Sequence, residues 1–402
     1  MAIEESRNAG IEIADDYCSR CGICVAVCPF EAISKDEEQN KIILDVEECR
    51  VCGLCVSACP LSAIDLVYYG VDSLTKKVQE EMAETGAKTL VLSCRGSNPA
   101  TFDVEDKLKD ENVENFISLR LPCVGRVPPE FYLKNLASGI EKMLILQCEE
   151  DFCRFKKGSQ IGINRLELLK DTVKELGYDP GNLIIKKDSL KAVYDTEKCV
   201  GCGKCVFVCP YKAIVWKDMS TPEIKTEYCV GCGACALVCP HQAIELRGYE
   251  FEPVSEIIKN CSRKAAKAKA QGKPAILLFV CQWSEFSALD DVQKGCLTDD
   301  ITIIELPCAK GFDPVLVLEA FSLGFDGVMA VVCPEELCKL EEGTYLGERN
   351  FSALKKVLKQ YNLEDRFDTF RVSPKYPGEF NEKLEEFKQK ISSIPKPEVK
   401  TV

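Results

Sequence analysis

The sequence predicts a multidomain chain in which two cysteine-rich α+β modules alternate with two α/β parallel-sheet domains, as a tandem duplication. Runs of the form Cys-x2-Cys-x2-Cys-x3-Cys-Pro begin at Cys18, Cys49, Cys199 and Cys229. After each pair of runs, short apolar segments alternate with helical segments, which is typical of a parallel sheet covered by helices. The second pair of runs and the segments after it repeat the first roughly 180 residues later.

The spacing within each run fits a 4Fe–4S cluster. A tight loop supplies three thiolates, and the fourth comes from elsewhere; in two-cluster ferredoxins the fourth cysteine of each run binds the other cluster. The sequence therefore predicts two 2[4Fe–4S] ferredoxin-like modules holding four 4Fe–4S clusters. The predicted ligand sets are site 1 (Cys18, Cys21, Cys24, Cys59), site 2 (Cys49, Cys52, Cys55, Cys28), site 3 (Cys199, Cys202, Cys205, Cys239) and site 4 (Cys229, Cys232, Cys235, Cys209).

A four-cysteine zinc site is the alternative for these runs. Zinc has no use for the third evenly spaced cysteine or for the closing Cys-Pro, so the cluster is favoured. A glycine follows the second cysteine of every run, where we expect a small residue to let the backbone pass close to inorganic sulfide. The proline after the fourth cysteine fixes φ and turns the chain away from the cluster.

The composition of the chain argues against several classes of function. The net charge of −13 argues against nucleic-acid binding, which needs a basic face. The N-terminus has no apolar signal segment, and the longest apolar stretches, such as 275–281, are too short to span a bilayer. We therefore expect most of the 26 cysteines to serve as metal ligands in a reducing cytoplasm. The only histidine, His241, is expected to be a packed side chain, which nearly excludes catalysis by a histidine base. Neither a Gly-x-Gly-x-x-Gly after a strand nor a P-loop occurs in the sequence.

Each α/β region contains three predicted strands that end in a cysteine. The strands span 89–94, 116–123 and 143–148 in the first region, and 275–281, 301–308 and 327–333 in the second. The predicted helices span 73–85, 128–139, 164–177, 252–272, 313–324 and 350–361. Ligands of parallel sheets bind beyond the carboxyl ends of the strands. We therefore expect four thiols to converge at each sheet edge: the first rim (Cys94, Cys123, Cys148, Cys153) and the second rim (Cys281, Cys308, Cys333, Cys338).

Four thiolates suit one 2Fe–2S cluster, whose two irons each take two protein ligands, so we expect two such clusters. The alternatives are a four-cysteine zinc site or a redox disulfide such as Cys148 with Cys153. The two remaining cysteines, Cys261 and Cys296, are expected to be structural or free thiols.

The predicted domains are a first ferredoxin module at 1–69, a first α/β domain at 70–190, a second ferredoxin module at 191–247 and a second α/β domain at 248–373. The remaining segment, 374–402, carries several prolines and a Lys/Glu-rich stretch that could form a helix. We expect it to be a solvated tail rather than a segment docked on a neighbour.

The α/β domains resemble the delta subunit of methyl-viologen-reducing hydrogenase. The resemblance rests on Phe279-Val280-Cys281-Gln282-Trp283, Glu305-Leu306-Pro307-Cys308, the segments 313–320 and 324–328, Cys333 to Cys338 and, more weakly, Leu121-Pro122-Cys123-Val124-Gly125-Arg126-Val127 and Cys148 to Cys153. The ferredoxin modules resemble those of the A subunit of heterodisulfide reductase. The hydrogenase subunit usually has Cys-x2-Cys at its first strand, whereas Ser97 and Ser284 occupy the second of these positions here.

This resemblance implies a subunit that relays single electrons between the redox subunits of an anaerobic complex without catalysing a reaction of its own. The implied partners are a heterodisulfide reductase-like flavoprotein and a hydrogenase or formate dehydrogenase. The alternative is a catalytic or activating reductase, in which rim cysteines reduce a small substrate or disulfide with electrons from the 4Fe–4S clusters. A third possibility is a metal-stabilised scaffold that never turns over electrons.

Overall fold

The computed structural model describes residues 10–67, 69–96, 115–187, 189–216, 221–246, 249–282, 300–309, 312–335, 338, 343–373, 375 and 378–395. Contacts divide the chain into two compact units, Met1–Ser189 with Pro374–Pro377, and Leu190–Ser373 with Gly378–Val402. Each unit contains short antiparallel strand pairs followed by a four-stranded parallel sheet.

The first unit begins with two antiparallel strand pairs and two short helices. The pairs are β1 (Ile11–Ile13) with β4 (Ile64–Leu66), and β2 (Ile33–Asp36) with β3 (Lys41–Leu44). The helices are α1 (Ile23–Val27) and α2 (Leu54–Ala58). Isoleucine, leucine and cysteine side chains from all these elements form one buried core. Since two-stranded sheets are marginal by themselves, the cysteine sites lie within the packing that holds the module together.

The parallel sheet of the first unit has the strand order β6-β5-β7-β8. Its strands are nearly continuous in apolar residues because helices cover both faces. The elements in chain order are α3 (Val71–Thr85), β5 (Thr89–Cys94), β6 (Ile117–Leu121), α4 (Pro129–Ala137), β7 (Lys142–Gln147), α5 (Gly158–Glu175) and β8 (Leu183–Lys187). A large cluster of buried core residues lies among these elements.

The second unit begins with the strand pairs β9 (Ala192–Tyr194) with β12 (Ile244–Leu246), and β10 (Ile214–Val215) with β11 (Glu223–Ile224). Its short helices are α6 (Lys204–Val208) and α7 (Ala234–Leu237). The following sheet has the order β14-β13-β15-β16 and is parallel throughout. Its elements are α8 (Phe251–Ala270), β13 (Ile276–Cys281), β14 (Ile301–Leu306), α9 (Val315–Ser322), β15 (Gly327–Val332), α10 (Gly343–Lys359), β16 (Phe367–Arg371) and α11 (Glu379–Ser393).

The structure departs from the sequence predictions in two places. Each sheet has a fourth strand, β8 or β16, that the apolar pattern did not predict, because polar residues keep its apolar runs short: Lys186 and Lys187 in β8, and Asp368 and Thr369 in β16. The expectation of a solvated C-terminal tail was wrong for α11. Phe380, Leu384, Phe387 and Ile391 of this helix are buried in the core of the second sheet. The amphipathic helix therefore belongs to the second α/β region.

Candidate iron–sulfur sites

Each of the four runs folds into a loop with two left-handed residues, followed by a short helix. The residues with positive φ are Arg20 and Gly22, Val51 and Gly53, Gly201 and Gly203, and Gly231 and Gly233. Successive left-handed residues turn backbone N–H groups and the flanking side chains toward a common concave side of the loop. Glycine is thus needed after the second cysteine because the backbone there has a positive φ, which would be strained in a residue with a side chain. This requirement adds to the expected close approach of the backbone to sulfide.

The second run of the first unit receives a cysteine from the first run. Burial raises the pKa of the Cys52 thiol to about 12, and the charges of Cys49 and Cys28 act in the same direction. Cys28 also raises the pKa of Cys55 and of Cys49, for which burial is again the largest cause. The structure therefore brings the four cysteines of site 2 together.

Site 1 is more exposed than site 2. Cys18 and Cys21 lie close enough to Cys24 to raise its pKa, although burial is the larger cause. Cys59 ends α2 and packs in the same core as Cys18 and Cys24. Cys21 itself is exposed, whereas Cys49, Cys52 and Cys55 of site 2 are buried.

In the second unit, the two predicted ligand sets each surround one cavity. One cavity is lined by all four cysteines of site 3, and another by all four cysteines of site 4. The remaining lining of the site 4 cavity is largely apolar, with Ala192, Ile214 and Leu246 among its residues. Both cavities therefore bring four thiols together. The apolar lining of site 4 fits a buried 4Fe–4S cluster, whereas site 3 is more exposed, at Cys202 and His241.

Backbone N–H groups point at the cysteine sulfurs. In three runs the N–H four residues after the last cysteine donates to its Sγ, at 3.2 Å from Ala63 to Cys59, 3.3 Å from Ala213 to Cys209 and 3.2 Å from Ala243 to Cys239. Further N–H groups donate to Cys49, Cys199 and Cys229 at 3.2–3.4 Å. Such donors stabilise thiolates and are a main determinant of cluster potential. The donor set thus fits anionic sulfur ligands.

The first rim forms at the carboxyl edge of its sheet. Strand register pairs Cys94 with Leu121 and Ser93 with Leu146. Cys123 therefore lies two residues beyond the end of β6, and Cys148 directly follows β7. The Cys123 and Cys148 thiols both contact Cys94 and Cys153. Donation from Cys123 and Cys148 lowers the pKa of Cys153 well below its ordinary value. The structure therefore brings all four thiols of the first rim into one closed ring.

Two further residues of the first rim escaped the sequence analysis. An ideal Cβ on Gly158, the first residue of α5, would lie 2.9 Å from Cys123 Sγ and 3.2 Å from Cys153 Sγ. Ser159 donates to the Cys148 carbonyl at 2.5 Å, which fixes the loop that carries Cys148 and Cys153. The sequence held one signal for Gly158: Gly343 follows Cys338 at the same distance as Gly158 follows Cys153.

The second rim is assembled from the equivalent strands. The Sγ atoms of Cys281 and Cys333 are 3.9 Å apart, and Cys333 also contacts Cys338. Cys308 follows β14 by two residues, and Leu306 at the end of that strand pairs with Cys281. Three thiols of the second rim thus meet in the described contacts, and the fourth lies at the same sheet edge.

The other residues singled out in the sequence have mixed outcomes. His241 is exposed rather than packed, and it borders the site 3 cavity. Cys261 is half-buried on α8. Ser97, Ser284 and Cys296 lie outside the described residues. In the part of the chain that the structure describes, no helix has both the length and the apolar character needed to cross a membrane.

Comparison with known families gives three matches along the chain. The model of the methyl-viologen-reducing hydrogenase delta subunit matches residues 89–199 and 276–394. Models of 4Fe–4S dicluster domains match residues 17–82 and 192–246. The family matches thus cover both parallel sheets, the C-terminal helix α11 and all the antiparallel strands except β1.

Relatives of known name match the chain over parts of their length. The A subunit of ferredoxin:CoB-CoM heterodisulfide reductase of Methanosarcina mazei is 29% identical over 266 residues, covering 65% of this chain and 30% of the relative. The iron–sulfur D subunit of the F420-non-reducing hydrogenase of Archaeoglobus profundus is 28% identical over 89 residues, covering 22% of this chain and 65% of the relative. The chain therefore spans less than a third of the heterodisulfide reductase subunit that it matches.

Proposed function

Since the chain belongs to the family of the methyl-viologen-reducing hydrogenase delta subunit, we propose that it is an iron–sulfur electron-transfer subunit of a larger redox complex. The proposal rests above all on the second unit, where two cavities are each lined by four cysteines with ferredoxin spacing. Its relatives are named as subunits of a heterodisulfide reductase and of a hydrogenase, which supports the same function.

We assign one 4Fe–4S cluster to each of sites 1–4 and one 2Fe–2S cluster to each rim. Bound clusters would supply one-electron transfer. The chain would then consist of two copies of one unit, each with a ferredoxin module followed by a hydrogenase-delta-like α/β domain. The recurring cysteine spacing and the equal strand order of the two sheets support this duplication.

The residues around the sites have three tasks in this proposal. The left-handed loops position the thiolates, and the N–H donors to sulfur stabilise their negative charge. Apolar side chains exclude water from site 2 and site 4, which limits proton uptake and hydrolysis of the ligand bonds. None of these tasks requires a substrate pocket or a general base, as befits a subunit that transfers electrons.

The proposed partners are a heterodisulfide reductase-like flavoprotein and a hydrogenase or formate dehydrogenase in an anaerobic cytoplasmic complex. The family to which the chain belongs and the names of its relatives support this class of partner. A reducing compartment also suits a chain whose thiols are committed to metal.

Replacing one rim cysteine tests the cluster assignment. The anaerobically purified wild-type protein should hold about 20 irons, from four 4Fe–4S and two 2Fe–2S clusters. Cys153→Ala should lose about two irons and one 2Fe–2S signal in electron paramagnetic resonance, because a rim ligand is missing. Cys261→Ala is the matched control, since Cys261 lies outside the rims and should leave the iron content unchanged.

Three results would contradict the proposal. An iron content of about 16 that Cys153→Ala leaves unchanged would remove the 2Fe–2S assignment. Unchanged iron with loss of a thiol-reducing activity would instead favour a reductase acting at the first rim. Clusters that neither accept nor return electrons with a redox partner would indicate a scaffold.

A further inference from the structure

Arg126 is a buried arginine that reaches from the first rim to the loop of site 2. It follows Cys123 in a single helical turn, Val124–Arg126, and only 3% of its surface is exposed. Its Nη2 donates to the carbonyl oxygen of Val51 at 2.7 Å. Val51 directly precedes Cys52, so the guanidinium group is hydrogen-bonded to the loop that carries the cysteines of site 2.

Packing at Gly53 gives an independent measure of this proximity. An ideal Cβ on Gly53 would lie 2.8 Å from Nε and 2.9 Å from Cβ of Arg126. Gly53 follows Cys52 directly, so the side chain of Arg126 lies in contact with the backbone between two cysteines of site 2. The positive charge of Arg126 also opposes the rise in the pKa of Cys52 that burial causes.

The guanidinium group of Arg126 has few polar partners among the described residues around it. Among the residues that the structure describes, Nε and Nη1 of Arg126 have no hydrogen-bond partner. The ring of Tyr69 lies 5.6 Å from its Cζ and provides a weak cation–π contact. A buried charge without a partner is costly, whereas an anion nearby would offset that cost. The thiolates of site 2 place such an anion beside Arg126.

We infer that Arg126 raises the reduction potential of the cluster at site 2. The inference rests on the proposed function, because it requires a 4Fe–4S cluster at this site. Reduction adds one negative charge to a centre that four thiolates already make negative. A nearby cation stabilises the reduced form more than the oxidised form. Since Arg126 is buried, salt screens this effect little.

The sequence of the second unit has a glycine where the first has Arg126, since alignment of Cys123 with Cys308 places Gly311 at that position. Among the described residues, a Cβ on Gly233, the counterpart of Gly53, would meet Leu246 within 4 Å rather than a cation. Lys191 donates to the carbonyl of Cys229 at 2.9 Å, but it is partly exposed, so water and salt weaken its field. Among the described contacts, a partly exposed lysine therefore reaches the loop of site 4, whereas a buried arginine reaches the loop of site 2.

Redox titration of the cluster-loaded full-length protein tests the inference. Arg126→Met removes the charge and keeps a long apolar side chain, whereas Arg126→Lys keeps the charge. We expect about a quarter of the 4Fe–4S signal, that of one cluster in four, to move to lower potential in the Met variant. The Lys variant should have a reduction potential closer to that of the wild type. The difference in potential between the Met variant and the wild type should persist at high salt, because the charge of Arg126 is buried.

Iron content distinguishes the possible failures. A Met variant with wild-type iron content and a superimposable titration curve would overturn the inference, because a purely structural role leaves the potential unchanged. If the Met variant does not retain iron at site 2, Arg126→Gln gives the same comparison with a polar neutral side chain. A wild-type protein without 4Fe–4S iron would refute the proposed function itself.

Discussion

Gly158→Ala is expected to disable the first rim while leaving the fold intact. Gly158 begins α5 and has helical backbone angles, so alanine fits the local conformation. The added methyl group would nevertheless lie 2.9 Å from Cys123 Sγ and 3.2 Å from Cys153 Sγ. The substitution thus combines a favourable backbone change with a steric conflict confined to two predicted ligands.

The steric conflict at the sulfurs should outweigh the favourable backbone change, as their magnitudes show. Non-bonded heavy atoms are normally about 3.5–4.0 Å apart, so Cys123 Sγ must move by roughly 0.6 Å or more. Metal–ligand distances tolerate only about 0.2 Å, so the displaced thiolate should no longer bind iron. Overpacking costs about 1–3 kcal/mol, while replacing glycine in a helix gains up to about 1 kcal/mol. The net loss of stability should therefore be no more than about 3 kcal/mol.

Iron analysis and urea unfolding measure the two effects separately. Gly158→Ala should lose about two irons and keep its circular dichroism spectrum. Gly162→Ala is the control on the same helix, since its Cβ would contact Gly125 and Gln147 but no sulfur. A Gly158→Ala protein with full iron content and the wild-type rim spectrum would refute the steric argument.

Two further predictions concern stability. Phe387→Ala should lower the free energy of unfolding by about 3–5 kcal/mol in urea, because this side chain is buried in the second sheet's core. Phe207→Ala is the control, since this side chain is 82% exposed, and it should change the free energy of unfolding by no more than about 0.5 kcal/mol. Equal losses of stability in the two variants would contradict the packing of α11. Asp65 lies on the exposed side of β4, and partial desolvation together with the charges of Asp72 and Glu12 raises the pKa of its carboxyl group. Its small stabilising contribution is therefore present at low pH and is lost as pH rises through the folded pKa. Asp65→Asn should therefore unfold at higher urea than wild type at neutral pH, with the difference vanishing near pH 3; a constant difference would disprove the titration argument.

The grouping of the cysteines could be predicted from the sequence because their geometry is largely local. Three cysteines within one short loop can converge only if particular residues take left-handed angles, as Val51 and Gly53 do. The carboxyl ends of adjacent parallel strands also coincide by register, which brought Cys94, Cys123 and Cys148 together. Spacing and strand pattern therefore sufficed to group these cysteines.

Residues that act across the fold carried no comparable signal. Arg126 lies in a segment that carried the resemblance to the hydrogenase subunit, but its contact with Gly53 joins segments far apart in sequence and could not be predicted from that pattern. The edge strands β8 and β16 lack a continuous apolar run, so their place in the sheet depends on the neighbouring strand. A Lys/Glu-rich stretch such as α11 is equally compatible with solvent until its apolar stripe finds a partner.

By itself, the sequence determined the cysteine runs, the strand ends that carry thiols and the class of cofactor that such thiols fit. Only the tertiary structure decided how α11 packs, which glycine touches the first rim and which cation lies beside site 2. The physical reason is the range of the interactions. Ligand spacing is set by a few neighbouring dihedral angles, whereas packing and the field at a buried site depend on contacts between distant segments.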